Sequence, residues 1–197
     1  PPNPDPIKNY VIQLDQTGLK PMFVQTTGQP GSSRTIQASS NLALHAWTHL
    51  AAVLDSGTMR LYVNGQQVAS GPSPGPPAIS AVPFTLGDFC CSFAGAMREA
   101  RVWSRALSAA ELRTYATQKL TGTEAGLIAD WPLAEGSGQV ARDTGPQHLS
   151  LVLQTGLGSG PNSVDWIRAD FDQYWDYQEL PVSNSAGLEW GNKFGTT

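Results

Sequence analysis

The clearest pattern of apolar and polar positions in the chain lies between Trp47 and Ser70. An apolar run, Trp47-Thr48-His49-Leu50-Ala51-Ala52-Val53-Leu54, closes at Asp55-Ser56-Gly57. Over residues 58–63, Met59, Leu61 and Val63 share one side of an extended chain, and Arg60 and Tyr62 share the other. That alternation follows because successive side chains of a strand point to opposite faces. Asn64-Gly65 then supplies two residues that tolerate positive φ, as a two-residue hairpin turn requires, and residues 66–69 return as the partner. The pattern predicts a three-stranded antiparallel meander.

Weaker versions of the same signal flank it. Residues 10–14 and 21–26 form short β-prone runs joined through Gly18, a hairpin pattern. A polar turn over residues 26–33 leads to a strand at 34–37. Residues 71–77 are rich in Pro and Gly and are expected to form an exposed loop, since Pro cannot donate to a central ladder. Strands are expected to resume at 83–87 and 97–104, again at 126–133 after a connection, and at 148–153 after a Gly/Ser turn at 136–138. Residues 156–162 read as a loop. One helix interrupts this order. Ser108 is placed to cap it, Glu111 completes a capping box, and Leu107 and Leu112 take the positions of a hydrophobic staple, so a helix is predicted over residues 109–118.

Composition agrees with many short strands. Only 14% of the 197 residues are charged, against 20 Gly and 15 Pro. A helical bundle would carry more Ala, Glu, Lys and Arg. The net charge is −4 and no Lys/Arg cluster occurs, which excludes a nucleic-acid binder built on a basic stripe. No apolar run approaches the roughly 20 residues that a membrane-spanning helix needs, so no membrane insertion is expected. Pro1-Pro2-Asn3-Pro4-Asp5-Pro6 reads as a linker or a trimmed terminus. The two cysteines, Cys90 and Cys91, are adjacent. They are two small half-buried thiols or a vicinal disulfide, and neither choice staples distant parts of the chain.

Three motifs in one order carry a resemblance. Trp47-Thr48-His49-Leu50-Ala51 followed by Leu61-Tyr62-Val63-Asn64-Gly65 resembles a signature of laminin-G-like domains, which are concanavalin A-like jelly rolls related to the pentraxins. Residues 93–108 are similar to the closing strand and following helix start of that family. Residues 120–138, with Asp130-Trp131-Pro132-Leu133-Ala134-Glu135-Gly136-Ser137-Gly138, resemble a segment of its bacterial members that precedes an Asp/Gly turn, here Asp143-Thr144-Gly145. The resemblance spans about residues 10–170 and implies an all-β antiparallel sandwich of jelly-roll type with one short helix. On this reading residues 1–170 are the sandwich and residues 171–197 an aromatic, acidic tail or linker. The opening strands of the family, with their early Trp, are not visible before Tyr10. Either they lie outside this chain or residues 126–170 complete the sandwich.

The resemblance further implies a non-catalytic, secreted or cell-surface recognition module for glycan, or for another extracellular protein or polymer, within a larger protein. Loops 71–80, 88–94 and 143–148 are the expected contact regions, with Asp88 among the candidate ligand residues. The alternative is a structural or assembly module that oligomerises through the tail or an edge strand. Relatives carry an acidic pair in the closing strand that helps to hold calcium. Here the pair reads Arg98-Glu99, which leaves Glu99 and Asp143 as the candidate Ca2+ ligands.

Candidate chemistry outside the resemblance is sparse. His45, His49 and His148 lack the spacing of a zinc site; His45 and His49 would share a strand face but have no third ligand, and His49 fits a packing role. Glucanases of this fold set two acids on one strand face in an E-x-D-x-E arrangement, and none is present; Asp170-Phe171-Asp172 comes nearest. No nucleophile elbow or phosphate loop occurs. The pattern therefore predicts no catalysis. Aromatic residues remain, because sugar rings stack on exposed aromatic planes. Trp47, Tyr62, Trp103 and Trp131 sit at positions that in the resembled family look like sandwich core or strand packing, whereas Tyr174, Trp175 and Tyr177 are too close together for all to be buried. The last three are candidate ligand contacts, or a clamp over a sheet edge.

Overall fold

The computed structural model of the chain describes residues 9–17, 19–79, 84–87 and 95–153. The chain divides into two compact units: the described residues of Pro1–Phe84 with Ala106–Thr117, and those of Thr85–Arg105 with Gln118–Thr197. All pairing between strands is antiparallel, and one helix is present among the described residues, so the fold is an all-β antiparallel sandwich with a short helix.

The first unit contains two three-stranded sheets. Strands β1 (Tyr10–Leu14), β2 (Pro21–Gln25) and β3 (Arg34–Gln37) form one, in that order. Strands β4 (Leu50–Asp55), β5 (Thr58–Val63) and β6 (Gln66–Pro72) form the other. Strands β2 and β3 pack face to face on β5, and β3 also meets β6. Between the sheets lie Phe23, Ala38, Met59 and Leu61, flanked by Ile36, Ala52, Leu54 and Ala69. Register explains the selection. Phe23 pairs with Ile36, Met59 with Leu54, and Leu61 with both Ala52 and Ala69, so each pair projects to the same face.

The Asn64-Gly65 turn forms as predicted, with φ of +49° and +72°. Asn64 also fastens it: its Oδ1 accepts the His49 N–H at 2.9 Å and its own N–H donates to the His49 carbonyl at 2.8 Å. The predicted strand start at Trp47 is corrected to Leu50, and residues 45–49, with His45 at φ +59°, are not a strand. The expected loop over 71–77 is also corrected, because β6 continues to Pro72, which pairs with Thr58. An edge strand tolerates proline, whose missing N–H faces away from the ladder. The extra residue Val68 sits at a bulge opposite Leu61 and Tyr62, where the register shifts.

The helix α1 (Ala109–Ala116) belongs to this unit and ends two residues before the predicted Gln118. Its capping box is formed in both directions: Ser108 Oγ accepts the Glu111 N–H at 3.2 Å, and the Ser108 N–H donates to Glu111 Oε2 at 2.8 Å. Leu107 and Leu112 are both buried. Arg113 crosses the hairpin turn and donates to the Gly65 carbonyl at 3.2 Å.

The second unit contains two ribbons. Strand β7 (Ala100–Trp103) pairs with β8 (Leu127–Trp131), and β9 (Val140–Ala141) with β10 (Leu151–Val152). Segment 127–131 is thus hydrogen-bonded to the strand that the resemblance marks as the closing one. Two expectations are corrected here. Residues 84–87 and 97–99 are not strands, and the strand expected over 148–153 shortens to Leu151–Val152, following His148 at φ +53°.

Candidate functional site

Two polar assemblies stand out in the second unit, and they differ in kind. One is closed by internal partners. Arg101 pairs with Glu99, donates through Nε to Asp130 Oδ1 at 3.1 Å, and reaches the Gln118 carbonyl through Nη2 at 2.9 Å. Asp130 Oδ2 accepts the Thr144 hydroxyl at 2.7 Å, and the Asp130 carbonyl accepts the Thr144 N–H at 2.7 Å. Asp143 completes the assembly: Oδ1 accepts N–H groups from Asp130 (2.8 Å) and Gly145 (2.6 Å), and Oδ2 accepts that of Leu149 (2.7 Å). The Leu149 carbonyl in turn accepts the Trp131 indole N–H at 2.6 Å. Gly145 is required beside Asp143, since a Cβ there would lie 3.0 Å from the Ala129 Cα and 2.9 Å from Asp143 Oδ1.

Calcium at Glu99 and Asp143 would need free carboxylate oxygens there. Glu99 and Asp143, the two candidate ligands, do belong to one network, linked through Arg101 and Asp130. Yet the countercharge for Glu99 and Asp130 is the Arg101 guanidinium, and both Asp143 oxygens already accept backbone N–H groups. Calcium needs six to eight oxygens. Among the described residues no three His, Cys, Asp or Glu side chains gather where an ion could sit. The donor set does not fit calcium. Its chemistry is that of a buried clamp, which holds the turn after β9 against β8.

The second assembly is open. On the connection from β8 into β9 and just beyond it, Glu135, Ser137, Gly138, Gln139, Val140 and Arg142 line a groove of about 410 Å³. Gly136 and Gly138 adopt positive φ (+67° and +85°), so the loop folds back and the intervening polar side chains share its rim. Glu135 is anchored, because Oε1 accepts the Arg142 N–H at 2.6 Å. Its second oxygen, Oε2, is buried and has no hydrogen-bond donor. Val140 is 43% exposed, and its cross-strand partner Val152 is 66% exposed.

Several residues singled out in the sequence are packing residues. Tyr62 and Trp131 are buried, while Trp47 and Trp103 are half-buried, the last with the Arg105 guanidinium 5.7 Å from its ring centre. His49 lies in the hairpin clasp described above. The remaining candidates, Asp88, Tyr174, Trp175 and Tyr177, together with Cys90, Cys91 and the Asp170/Asp172 pair, lie outside the described residues. Loop 71–80 is described as far as Ile79. Fully buried Gln25 pins it, with Nε2 donating to the Gly75 carbonyl at 2.6 Å and Oε1 accepting the Ser73 hydroxyl at 2.9 Å.

The polar groove escaped sequence reasoning, which treated residues 136–138 only as a turn. A signal was present in the alternation Glu135-Gly136-Ser137-Gly138-Gln139, where glycines separate three hydrogen-bonding side chains.

A family model described as the concanavalin A-like lectin/glucanases superfamily, of the laminin G type, matches residues 3–113. No curated protein matches. Among solved structures, the chain is similar to an S-layer domain-containing protein (residues 221–444) from Clostridium thermocellum ATCC 27405, at 25% identity over 49% of this chain and 51% of that one, with a TM-score of 0.34. It is also similar to a candidate carbohydrate binding protein from Bacteroides ovatus ATCC 8483, at 20% identity over 72% of this chain and 46% of that one, with a TM-score of 0.49. The match spans about half the length of each of those solved chains.

Proposed function

Because the chain belongs to the concanavalin A-like lectin/glucanases superfamily, we propose that it is a non-catalytic carbohydrate-recognition module, working at a cell surface or outside the cell as part of a larger protein. The observation that carries this reading is the family match, which covers the whole two-sheet sandwich, β1 to β6, and most of α1. The superfamily contains both lectins and glucanases, so the second step is the choice between them. Hydrolysis needs a pair of carboxyl groups set about 5–10 Å apart across a bound sugar. Among the described residues, the acids in or beside β4, β7, β8 and β9 are committed elsewhere: Asp130 and Glu99 to Arg101, Asp143 to backbone N–H groups, and Asp55 to Arg60. A carboxylate so engaged supports turns and sheets and is poorly placed to pass protons. Recognition without turnover is the reading that this commitment favours.

The test is retention and turnover measured together. The full chain is passed over immobilised neutral and acidic polysaccharides, with and without a chelator, while released reducing ends are assayed. Retention on at least one polysaccharide without release supports the proposal, and equal retention with chelator present agrees with the Arg101-filled acidic site. Release of reducing ends that disappears in an Asp170→Asn, Asp172→Asn variant would replace it with a glucanase. Failure to bind any polysaccharide would leave the chain outside the lectin branch.

A further inference from the structure

We propose that β1 is a self-association edge, through which two copies of this chain join their first three-stranded sheets into one continuous antiparallel sheet. The inference concerns the first unit alone and stands apart from the carbohydrate reading above.

The hydrogen-bonding phase of the strand points to it. The Asn9 carbonyl accepts the Thr26 N–H at 3.1 Å, and the Asp15 N–H donates to the Lys20 carbonyl at 2.9 Å. Bonded and non-bonded pairs alternate along an antiparallel ladder, so Val11 and Gln13 also bond to β2. Tyr10, Ile12 and Leu14 then turn their N–H and C=O groups away from β2, to a side where no described strand pairs with them. The side chains tell the same story. Ile12 pairs with Phe23 and Tyr10 with Gln25, and both partners are buried, yet Ile12 is 44% exposed and Tyr10 51%. The core-facing side of the sheet is therefore left uncovered at β1.

Open edges invite pairing and are commonly blunted by charge, proline or a bulge. Strand β6 has both Pro72 and the bulge at Val68, β3 has Arg34, and β4 has Asp55. Strand β1, Tyr10-Val11-Ile12-Gln13-Leu14, has none of these, and its register with β2 is unbroken. Its sequence also complements itself, which selects a second copy as the occupant. A two-fold axis at Ile12 sets Ile12 against Ile12 of the other copy, Tyr10 against Leu14, and Val11 against Gln13. The outward groups then meet in phase, and each such pair exchanges two backbone hydrogen bonds. Apolar side chains meet apolar ones on the core-facing side, and no like charges face each other, since Asn9 falls opposite Asp15. One short strand covers less than the roughly 1,200 Å² of a standard interface, so a Kd of about 10–100 μM is expected.

The experiment is sedimentation velocity of the full chain from about 5 to 500 μM, where a monomer is expected to give way to a dimer. Ile12→Lys brings two ammonium groups together at the axis and is expected to raise the Kd about tenfold or more. Ile12→Pro removes an N–H that β2 does not use and is expected to do the same. Val68→Lys, on the β6 edge, is expected to leave the Kd unchanged. Amide exchange supplies a second reading on the wild-type chain. In dilute solution Tyr10, Ile12 and Leu14 are expected to exchange faster than Val11 and Gln13, and on concentration those three slow as the monomer fraction falls. A chain that stays monomeric to 500 μM overturns the proposal. So does a dimer whose Kd is unchanged in both Ile12 variants, or one that leaves the Tyr10, Ile12 and Leu14 amides unprotected. Should thermal melts show that the Ile12 variants do not fold, the wild-type exchange pattern decides alone.

Discussion

The two-sheet sandwich and the β7–β8 ribbon are held together by opposite means. In the sandwich, Phe23, Ala38, Met59 and Leu61 meet between sheets with no polar partner among them, and stability comes from apolar area removed from water. In the ribbon and on the turn after β9 that it holds, Asp130 and Asp143 are buried, and their carboxylates are satisfied by Arg101, Thr144 and backbone N–H groups. The first arrangement tolerates exchange of one hydrophobe for another of similar size. The second does not tolerate loss of a single partner, because the others are then left buried and unpaired. Two neighbouring stretches of one chain therefore respond differently to the same kind of damage.

Truncation in the sandwich is expected to have the largest effect. Leu61 is fully buried, and Leu61→Ala removes its packing against Ala52 and Ala69 as well as Phe23 and Met59. A loss of about 3–5 kcal/mol in urea unfolding is expected, whereas Leu61→Met should cost less than about 1.5 kcal/mol. Equal losses for both would mean that shape, not burial, governs this site. In the ribbon the comparison runs the other way. Asp143→Ala leaves three N–H groups without an acceptor and is expected to cost about 2–4 kcal/mol, while the near-isosteric Asp143→Asn should recover only part of it. Full recovery by Asn would show that one neutral acceptor suffices and that the carboxylate charge adds nothing.

Gly65 sharpens the contrast within the first unit. It holds φ at +72°, and a Cβ there would overlap the Arg113 side chain at Cγ. Gly65→Ala is expected to cost about 1–3 kcal/mol, part from backbone strain and part from the clash. Adding Arg113→Ala should return the second part, so the double variant is predicted to be less destabilised than the sum of the single ones. Strict additivity would deny that the helix and the hairpin turn press on each other. Ser108→Ala, which removes the N-cap, is expected to cost about 1 kcal/mol by the same measurement.

The same division decides how much could be read in advance. Alternation at Met59, Leu61 and Val63, the Asn64-Gly65 pair, and the Ser108/Glu111 box are local signals with one physical outcome, and the meander and helix formed where they stood. Edges were less legible. Nothing local says that Pro72 still pairs with Thr58, or that the strand after Trp47 waits until Leu50, because those limits depend on what the neighbouring strand offers. Least legible were the polar assemblies. Glu99, Arg101, Asp130 and Asp143 are spread over 45 positions, and only the pairing of β7 with β8 and the hydrogen bonds between Asp130 and the turn at residues 143–144 join them. Gln25 likewise sits in an ordinary strand run, and its burial follows from the return of Ser73 and Gly75, 48 and 50 positions later. The groove at Glu135 belongs to this class: its residues are neighbours in sequence, but the buried free oxygen is a property of the folded loop.

The smallest expected effect concerns pH and falls on a loop of the second unit. Glu124 folds its carboxylate back on the loop entering β8, accepting the Thr121 N–H at 2.7 Å, the Thr121 hydroxyl at 2.9 Å and the Gly122 N–H at 3.0 Å. Burial by itself would raise its pKa, but the N–H groups of Thr121, Glu124 and Gly122 with the Thr121 hydroxyl outweigh that and hold it below the ordinary value of 4.5. The sign follows: the unfolded chain takes up this proton first as pH falls, so the native loop is favoured above 4.5 and loses that advantage as pH drops through the lowered native value. Glu124→Gln removes the titration while keeping an acceptor. The variant is expected to be slightly less stable than wild type at neutral pH, with the difference vanishing in acid. A gap that persists unchanged to low pH would assign the effect to the shape of the loop instead of to the charge.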